Sequence, residues 1–276
     1  MNKSFLSLVL CFSLGAICLH AQTPPAPKPE PPSNPAQTAA PFTNSLGLKF
    51  VAIPESTTLF CIYKTRVSDY GSFANATRRE WHRPEFSQTA NDPVVMVSWE
   101  DAMAFCNWLT KQEHASHQLP DDWKYRLPTE AEWNAAVGLT AANNKSDIVR
   151  STTDQTQYPW GTDWPPPHGV GNYHQSLGVD SFSYTSPVGS FPANSLGIFD
   201  LGGNAWEWCM DRYNDSVDFR SLRGGSWNMR NPGDLLASAH VGNEPDIHLD
   251  TYGFRCAIER PTPPPPPEAP KPSDKH

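Results

Sequence analysis

Hydrophobic residues in the first third of the sequence follow both strand and helix spacing. Residues 50–63 mix aromatic and β-branched side chains around a Pro-Glu-Ser turn, which predicts two short strands. Val67, Tyr70 and Phe73 recur at helical spacing and predict a helix over residues 67–76. The short apolar run of residues 93–98 predicts a buried strand.

A second helix is predicted to begin after Ser98. The Ser98 side chain can cap the helix, and Asp101 stands three residues on, as in a capping box. The apolar face that follows has the i, i+3, i+4, i+7 pattern. Its members are Ala102, Phe105, Cys106 and Leu109.

The third predicted helix has both of its ends marked in the sequence. Thr129 and Glu132 form a second capping box, and Gly138 follows Val137 as a natural stop. Capping by itself explains why a carboxylate stands at Glu132, so we assign this residue no catalytic role.

A long stretch over residues 140–199 is polar and rich in Gly, Pro and Asn, which predicts loops with brief strands. A loop region of this length in a compact domain is usually ordered by a further interaction besides its own backbone hydrogen bonds. Metal ions, a disulfide and stacked tryptophans are the candidates here. The pattern as a whole predicts an α+β domain with little regular structure.

Composition narrows the possible partners. The chain has 276 residues, and its ten tryptophans all lie between Trp81 and Trp227, which indicates one aromatic-rich core. The net charge of −8 argues against nucleic acid as a partner, because nucleic-acid binding requires clustered Lys and Arg. The same charge permits divalent cation binding, but it is also typical of an ordinary acidic surface.

The N-terminal segment is typical of a secretory signal peptide over residues 1–21. Lys3 precedes an apolar run that ends at Leu19, and Ala21 provides a small residue for cleavage. We therefore expect an exported protein, periplasmic or secreted, with no membrane span after cleavage. The alternative is an uncleaved anchor.

Proline-rich segments flank the predicted domain on both sides. Residues 22–41 contain eight prolines and predict a stiff, extended linker. Residues 260–276 have the same character, and residues 263–267 are all proline. This proline run is a possible docking segment for a partner with an aromatic groove, and the alternative is a passive tail.

Two carboxylates flank a glycine turn in the pattern Asp200-x-x-Gly203-x-Ala205-x-Glu207. Carboxylate and carbonyl oxygens are the ligands that calcium prefers. The alternative is that Asp200 caps a turn and that Glu207 pairs with Arg212 or Arg223.

Four cysteines remain after removal of the signal peptide: Cys61, Cys106, Cys209 and Cys256. Disulfides persist in the compartments to which exported proteins go, and four cysteines allow three pairings. No Cys-x-x-Cys or Cys/His spacing indicates a zinc site.

Four segments in a fixed order resemble the formylglycine-generating enzyme family, also called the sulfatase-modifying factor domain. They are YRLPTEAEW (125–133), GIFDLGGNAWEWCMDR (197–212), LRGGSWN (222–228) and YGFRCA (252–257). The resemblance covers residues 42–259. It implies a single α+β domain with an irregular, loop-rich, C-type-lectin-like fold.

The resemblance also implies two structural calcium sites. The first corresponds to Asp200, the carbonyls of Gly203 and Ala205, and Glu207. The second corresponds to Asn172, the carbonyl of Tyr173, Asp180 and the carbonyl of Phe182.

The resemblance further implies a disulfide between Cys106 and Cys256. It leaves Cys61 and Cys209 either paired with each other or present as buried thiols.

The catalytic pattern of the family is interrupted in this chain. Active members bind copper through two cysteine thiolates just after the Gly-Gly-Ser segment, and Met229 and Asp234 occupy these positions here. The iron-dependent sulfoxide synthases of the family take iron ligands from an extra N-terminal domain, whereas residues 42–98 are too short and carry only His82.

Because the copper cysteines and the iron ligands of the family are missing, we expect a binding pocket here rather than a catalytic centre. We expect the pocket to be lined by Trp206, Ser226, Trp227, Arg230 and His240. It would bind a peptide or small ligand, or support a reaction that does not use copper. An active formylglycine-generating oxidase and a carbohydrate- or peptide-binding module are the alternatives. We expect the other histidines, His168, His174 and His248, to face solvent.

Overall fold

The computed structural model describes residues 41–54, 56–139 and 157–261. The predicted signal peptide, the proline-rich linker up to residue 40 and the tail beyond residue 261 lie outside these residues. Among the described residues, no helix combines the length and apolar character needed to cross a membrane.

Two small sheets and three helices form the regular structure. The first sheet has the antiparallel order β1-β2-β3-β9-β4. The second has the order β7-β6-β5-β8, with β5 and β8 parallel. The strands are β1 Phe42–Thr43, β2 Lys49–Ala52, β3 Leu59–Cys61, β4 Lys124–Arg126, β5 Trp206–Arg212, β6 Arg220–Arg223, β7 His240–Asn243, β8 Tyr252–Gly253 and β9 Ala257–Glu259. The helices are α1 Val67–Thr77, α2 Trp99–Ala115 and α3 Glu130–Val137.

Local hydrogen bonds define the helix ends as predicted. The Ser98 side chain accepts from the Asp101 amide, and the Thr129 side chain accepts from the Glu132 amide. Gly138 ends α3 in the left-handed conformation. The predicted apolar face of α2 is fully buried in the main core. Helix α1 runs one residue past its predicted end.

The two strands predicted within residues 50–63 are present as β2 and β3, but the strand predicted over residues 93–98 is wrong. Val94, Val95 and Val97 are completely buried, as the apolar run suggested. Met96, however, has φ +58°, and the amides of Val94 and Met96 donate to Thr65 and Leu249 on separate segments. The run is therefore buried as an irregular connection.

Loops dominate the described part of the region predicted to be irregular. From residue 157 to residue 199 the chain forms one 3₁₀ turn, Gln175–Leu177, and otherwise turns, bends and isolated bridges. Two of its tyrosines, Tyr158 and Tyr173, pack with Val179 and Leu235 in a separate small cluster. Trp160 stacks on Tyr158 with 4.7 Å between the ring centroids, so a tryptophan takes part in ordering these loops, although the stack pairs it with a tyrosine.

Candidate functional site

Three aromatic rings from distant loops meet at one surface. Phe86 and Tyr184 stack at 4.4 Å between centroids with an 8° interplanar angle. Trp227 packs edge-on against both rings, 5.7 Å from Phe86 and 5.0 Å from Tyr184. We call Phe86, Tyr184 and Trp227 the aromatic triad. Tyr184 is 46% exposed, so one face of the triad is open to solvent.

Backbone contacts hold the triad in place. The Trp227 indole N–H donates to the carbonyl of Asp250 at 3.2 Å, and the Trp227 amide donates to the Asn204 carbonyl. Beside the triad lies a pocket of about 250 Å³, lined by Arg83, Pro84, Phe86, Ser87 and Gln88. The Arg83 guanidinium lies 3.6 Å from the centroid of the Trp81 ring. An ordered aromatic surface next to a pocket of mixed polar and apolar lining is suited to binding a ligand with both apolar and polar groups.

The predicted pocket residues are only partly brought together. Trp227 is half-buried within the triad, and Arg230, three residues on, is exposed. Trp206 is 4% exposed and packs in the main core, and Ser226 is buried with its hydroxyl on the Asn228 side chain. Trp206 and Ser226 therefore do not line the surface.

His240 belongs to a different group of side chains. Its Nδ1 lies 2.9 Å from Oε1 of Glu130, and its ring lies 5.1 Å from that of Tyr213. Glu130 also lies near Arg223, whose Nη1 is 3.6 Å from Oε1. Burial would raise the pKa of Glu130, but His240 and Arg223 outweigh it and hold this pKa below its usual value.

Sequence reasoning missed Phe86 and Tyr184. Both lie in loops without periodicity, and their partner Trp227 is more than forty residues from either in the chain. The nearby Trp81 and Pro84 mark a turn-rich aromatic segment, but nothing in the sequence connects that segment with residue 184.

Met229 and Asp234, which the family resemblance matches with the copper cysteines, lie close to the Gly-Gly-Ser turn. Met229 is partly buried against two core clusters, and Asp234 lies in the 3₁₀ turn Pro232–Leu235. The Asp234 carboxylate accepts a hydrogen bond from the Asn231 amide group at 2.9 Å. A thioether and a hydrogen-bonded carboxylate do not supply the soft thiolate pair that suits Cu(I).

The donor set at Asn172 and Asp180 fits a calcium ion. Asn172 is 1% exposed, its Nδ2 donates to the Tyr184 carbonyl, and its Oδ1 has no hydrogen-bond partner among the described residues. The Asp180 carboxylate accepts from the amides of Tyr173 and Phe182, which orders the loop around it. The amide oxygen of Asn172 and the carboxylate of Asp180 are hard oxygen donors of the kind that calcium prefers, and the former lacks a partner that a cation would supply.

At the turn from Asp200 to Glu207, Oδ1 of the buried Asp200 has no hydrogen-bond partner among the described residues, but the carboxylate of Glu207 is fully engaged. Oε1 of Glu207 accepts from Lys64 Nζ and from Arg255 Nη2, the latter at 2.7 Å. Oε2 accepts from Arg255 Nε at 2.6 Å and from the Trp133 indole at 3.2 Å. Glu207 forms ion pairs, as we predicted for the alternative to a calcium site. Its partners are Lys64 and Arg255, however, rather than the predicted Arg212 or Arg223.

The two predicted calcium loops lie next to each other. Gly203 bridges to Asn172, and the Asn204 amide donates to the Asn172 carbonyl at 2.9 Å. Gly203 has φ +76°, and a Cβ there would lie 2.3 Å from the Asn172 carbonyl oxygen, which explains the glycine. The neighbouring Ala205 is fully buried at the start of β5.

The four described cysteines are buried thiols. The Sγ atoms of Cys106 and Cys256 lie 3.8 Å apart, so the predicted pair is adjacent, and the disulfide itself stays a prediction. Cys61 packs in the main core, and its amide donates to the Cys256 carbonyl. Cys209 belongs to a second core cluster around Trp133. Burial raises the pKa of Cys61 to about 12 and that of Cys209 well above its usual value.

The fold and the loop-built surface define a class of protein with an irregular α+β scaffold of the formylglycine-generating type. The family model for the sulfatase-modifying factor enzyme 1-like domain matches residues 47–260. The match covers most of the chain, and the chain therefore belongs to this family.

Similar proteins include one whose name records inactivity and one named as the enzyme. "Inactive C-alpha-formylglycine-generating enzyme 2" of Bos taurus is 36% identical over 182 residues, covering 62% of this chain and 52% of the relative. "Formylglycine-generating enzyme" of Thermomonospora curvata is 30% identical over 212 residues, covering 65% of this chain and 61% of the relative. The chain thus spans about half to three fifths of the length of these relatives.

Solved structures agree on the fold. The structure of PvdO from Pseudomonas aeruginosa superposes with a TM-score of 0.57 at 21% identity, covering 77% of this chain and 82% of that one. The likeness shows the shared fold.

Proposed function

We propose that this chain is an exported binding domain of the sulfatase-modifying factor family that takes a peptide or small ligand on the aromatic triad. The partly exposed stack of Phe86, Tyr184 and Trp227, beside a pocket with both polar and apolar lining, carries the proposal. Aromatic rings offer a large contact area at low entropic cost, and they dominate many binding surfaces.

Copper-dependent oxidation is not part of the proposed function. Met229 and Asp234 occupy the positions that correspond to the copper cysteines, and Met229 is partly buried in core clusters. A similar bovine protein carries a name that records inactivity, which supports a family scaffold retained without the oxidation. The buried cysteines Cys61 and Cys209 have raised pKa values, so neither offers a ready thiolate in place of the missing pair.

A synthetic Cys-x-Pro-x-Arg peptide distinguishes enzyme from binder. We expect mass spectrometry to find no aldehyde after incubation with the protein and Cu(I). Conversion of the cysteine with copper, and its absence without copper, would contradict the proposal and favour the active oxidase.

The same peptide with serine in place of cysteine tests binding by calorimetry, alongside a short oligosaccharide. Tyr184→Ala removes the exposed ring of the triad and is expected to weaken peptide binding about tenfold. Trp164→Ala is the matched control, because Trp164 is 39% exposed on another loop, and it should leave the affinity unchanged. Binding of the sugar alone would favour the carbohydrate-binding alternative.

Two further features belong to the proposal. A signal peptide over residues 1–21 would export the chain, so N-terminal sequencing of the mature protein should begin near Gln22. Recovery of intact Met1 in a soluble cytoplasmic fraction would contradict export.

A calcium ion at Asn172 and Asp180 would hold the loops behind Tyr184, since the Tyr184 carbonyl accepts a hydrogen bond from the Asn172 side chain.

A further inference from the structure

The carboxylate oxygens of Glu207 have no free lone-pair position with which to coordinate a metal ion. A carboxylate offers about four lone-pair positions, two on each oxygen. Here four donors occupy them: Lys64 Nζ, Arg255 Nη2, Arg255 Nε and the Trp133 indole N–H. Glu207, Lys64 and Arg255 are all completely buried, so water does not compete for these contacts.

The cluster needs no further positive charge. Its acidic members are Glu207 and Asp200, its basic members are Lys64 and Arg255, and burial raises the pKa of Asp200, which favours the neutral form of that carboxyl. A divalent ion at the turn would add two uncompensated positive charges to a site that is almost dry, since Asp200 is 7% exposed. Uncompensated charge in a buried site is strongly unfavourable, so an ion could enter only by displacing a basic side chain.

The cluster also cross-links segments that are distant in sequence, which is the role expected of a structural metal ion. Lys64 follows β3 of the first sheet, and Glu207 lies in β5 of the second sheet. Arg255, between β8 and β9, also donates to the carbonyls of Cys61 and Phe199. The carbonyls and carboxylates of three segments thus converge on two basic side chains.

We infer that the ammonium group of Lys64 is the built-in cation of the turn from Asp200 to Glu207, so this turn is metal-independent and the chain takes at most one calcium ion. The inference is separate from the ligand proposed for the aromatic triad. It proposes one calcium site for this chain where the family resemblance implies two, and it assigns that site to Asn172 and Asp180.

Calcium stoichiometry tests the inference on the unmodified protein. Equilibrium dialysis followed by elemental analysis should find no more than one ion per chain, and Glu207→Gln should leave that number unchanged. Two ions per chain, with one lost in Glu207→Gln, would overturn the inference. Finding no ion would agree with a metal-independent turn and would contradict the calcium proposed at Asp180, so the two failures are distinguishable.

Replacing the lysine tests its role directly. Lys64→Asn removes the ammonium group, leaves room beside Glu207 and supplies an amide oxygen. We expect calcium, compared with chelator, to raise the melting temperature of this variant by several degrees more than it raises that of the unmodified protein. Lys124→Met is the matched control, because Lys124 pairs with Glu259 at the surface. A folded Lys64→Asn protein with the same calcium response as the unmodified chain would contradict the assignment. If the variant does not fold, the number of calcium ions bound per unmodified chain tests the assignment instead.

Discussion

The guanidinium of Arg126 holds the carboxylate of Glu132 in a two-bonded pair. Nη1 lies 2.7 Å from Oε2, and Nη2 lies 2.7 Å from Oε1. Glu132 also accepts from the Thr129 amide and from the Thr58 hydroxyl, so one residue caps α3 and ties it to the first sheet. Burial would raise the pKa of Glu132, but Arg126 outweighs it and holds this pKa below its usual value.

Arg126→Met should therefore destabilise the protein by about 3 kcal/mol, because it leaves the Glu132 carboxylate mostly buried without its counter-charge. Arg126 and Glu132 are 13% and 12% exposed. Denaturant unfolding measures the change. Arg212→Met, which removes a surface pair with Asp218, is the control and should change stability by less than about 0.5 kcal/mol. Equal changes in the free energy of unfolding for the two substitutions would show that the buried pair contributes no more to stability than the surface pair.

The adjacent thiols of Cys106 and Cys256 should be joined in the exported protein. Their Sγ atoms lie 3.8 Å apart and the residues are 150 positions apart in sequence, so a bond would close a long loop. Such a bond contributes about 4 kcal/mol if it is unstrained. Peptide mapping without reductant should recover the linked fragments, and reductant should lower the melting temperature. Two free thiols in freshly exported protein would contradict the pairing.

Cys61 and Cys209 should resist alkylation in the same protein. Burial raises the pKa of Cys61 to about 12, and it also raises that of Cys209, so little thiolate forms near neutral pH. A maleimide reagent should label both residues only after denaturation. Fast labelling of either residue in the native state would show that its thiol is accessible.

Asp101 should make the stability of the protein sensitive to acid. Burial would raise the pKa of Asp101, but the Ser98 amide, Arg79 and His248 outweigh it and hold this pKa below 3.8. The carboxylate therefore stabilises the fold above about pH 3.8, and this stabilisation is lost as the pH falls through the lowered pKa of the folded state.

Asp101→Asn is the variant that isolates this effect. It should cost about 1–2 kcal/mol near neutral pH, because the charged hydrogen bonds to Arg79 and Ser98 weaken. The difference from the unmodified protein should shrink below about pH 3.8. Denaturant unfolding of both proteins at several pH values measures the difference. A difference that stays constant into acid would contradict the assignment.

Calcium at Asn172 and Asp180 should appear in the melting temperature. A ligand that binds only the folded state stabilises it by about 2.7 kcal/mol at one hundred times its dissociation constant. A calcium-specific chelator should lower the melting temperature, and Asp180→Asn should remove most of this response. Asp163→Asn, at an exposed aspartate, is the matched control. A melt that is insensitive to chelator would reject calcium at this site.

The sequence by itself determined the features that depend on neighbouring residues. The ends of α2 and α3 follow from capping boxes whose partners lie three residues apart, as Ser98 with Asp101 and Thr129 with Glu132. The buried face of α2 follows from helical spacing in the same way. The four motifs of the family resemblance were also sufficient for the fold, since the family model matches residues 47–260.

Tertiary structure alone decided the contacts between distant segments. The partners of Glu207 lie 143 and 48 positions away, at Lys64 and Arg255, and no local pattern favours them over the nearer Arg212 and Arg223. The aromatic triad likewise depends on how three irregular loops close. Residues 93–98 have the composition of a strand, yet their backbone amides bond to two separate segments and no ladder forms. Local propensity acts over a few residues, whereas the packing of loops and the balance of buried charge are set by the whole chain.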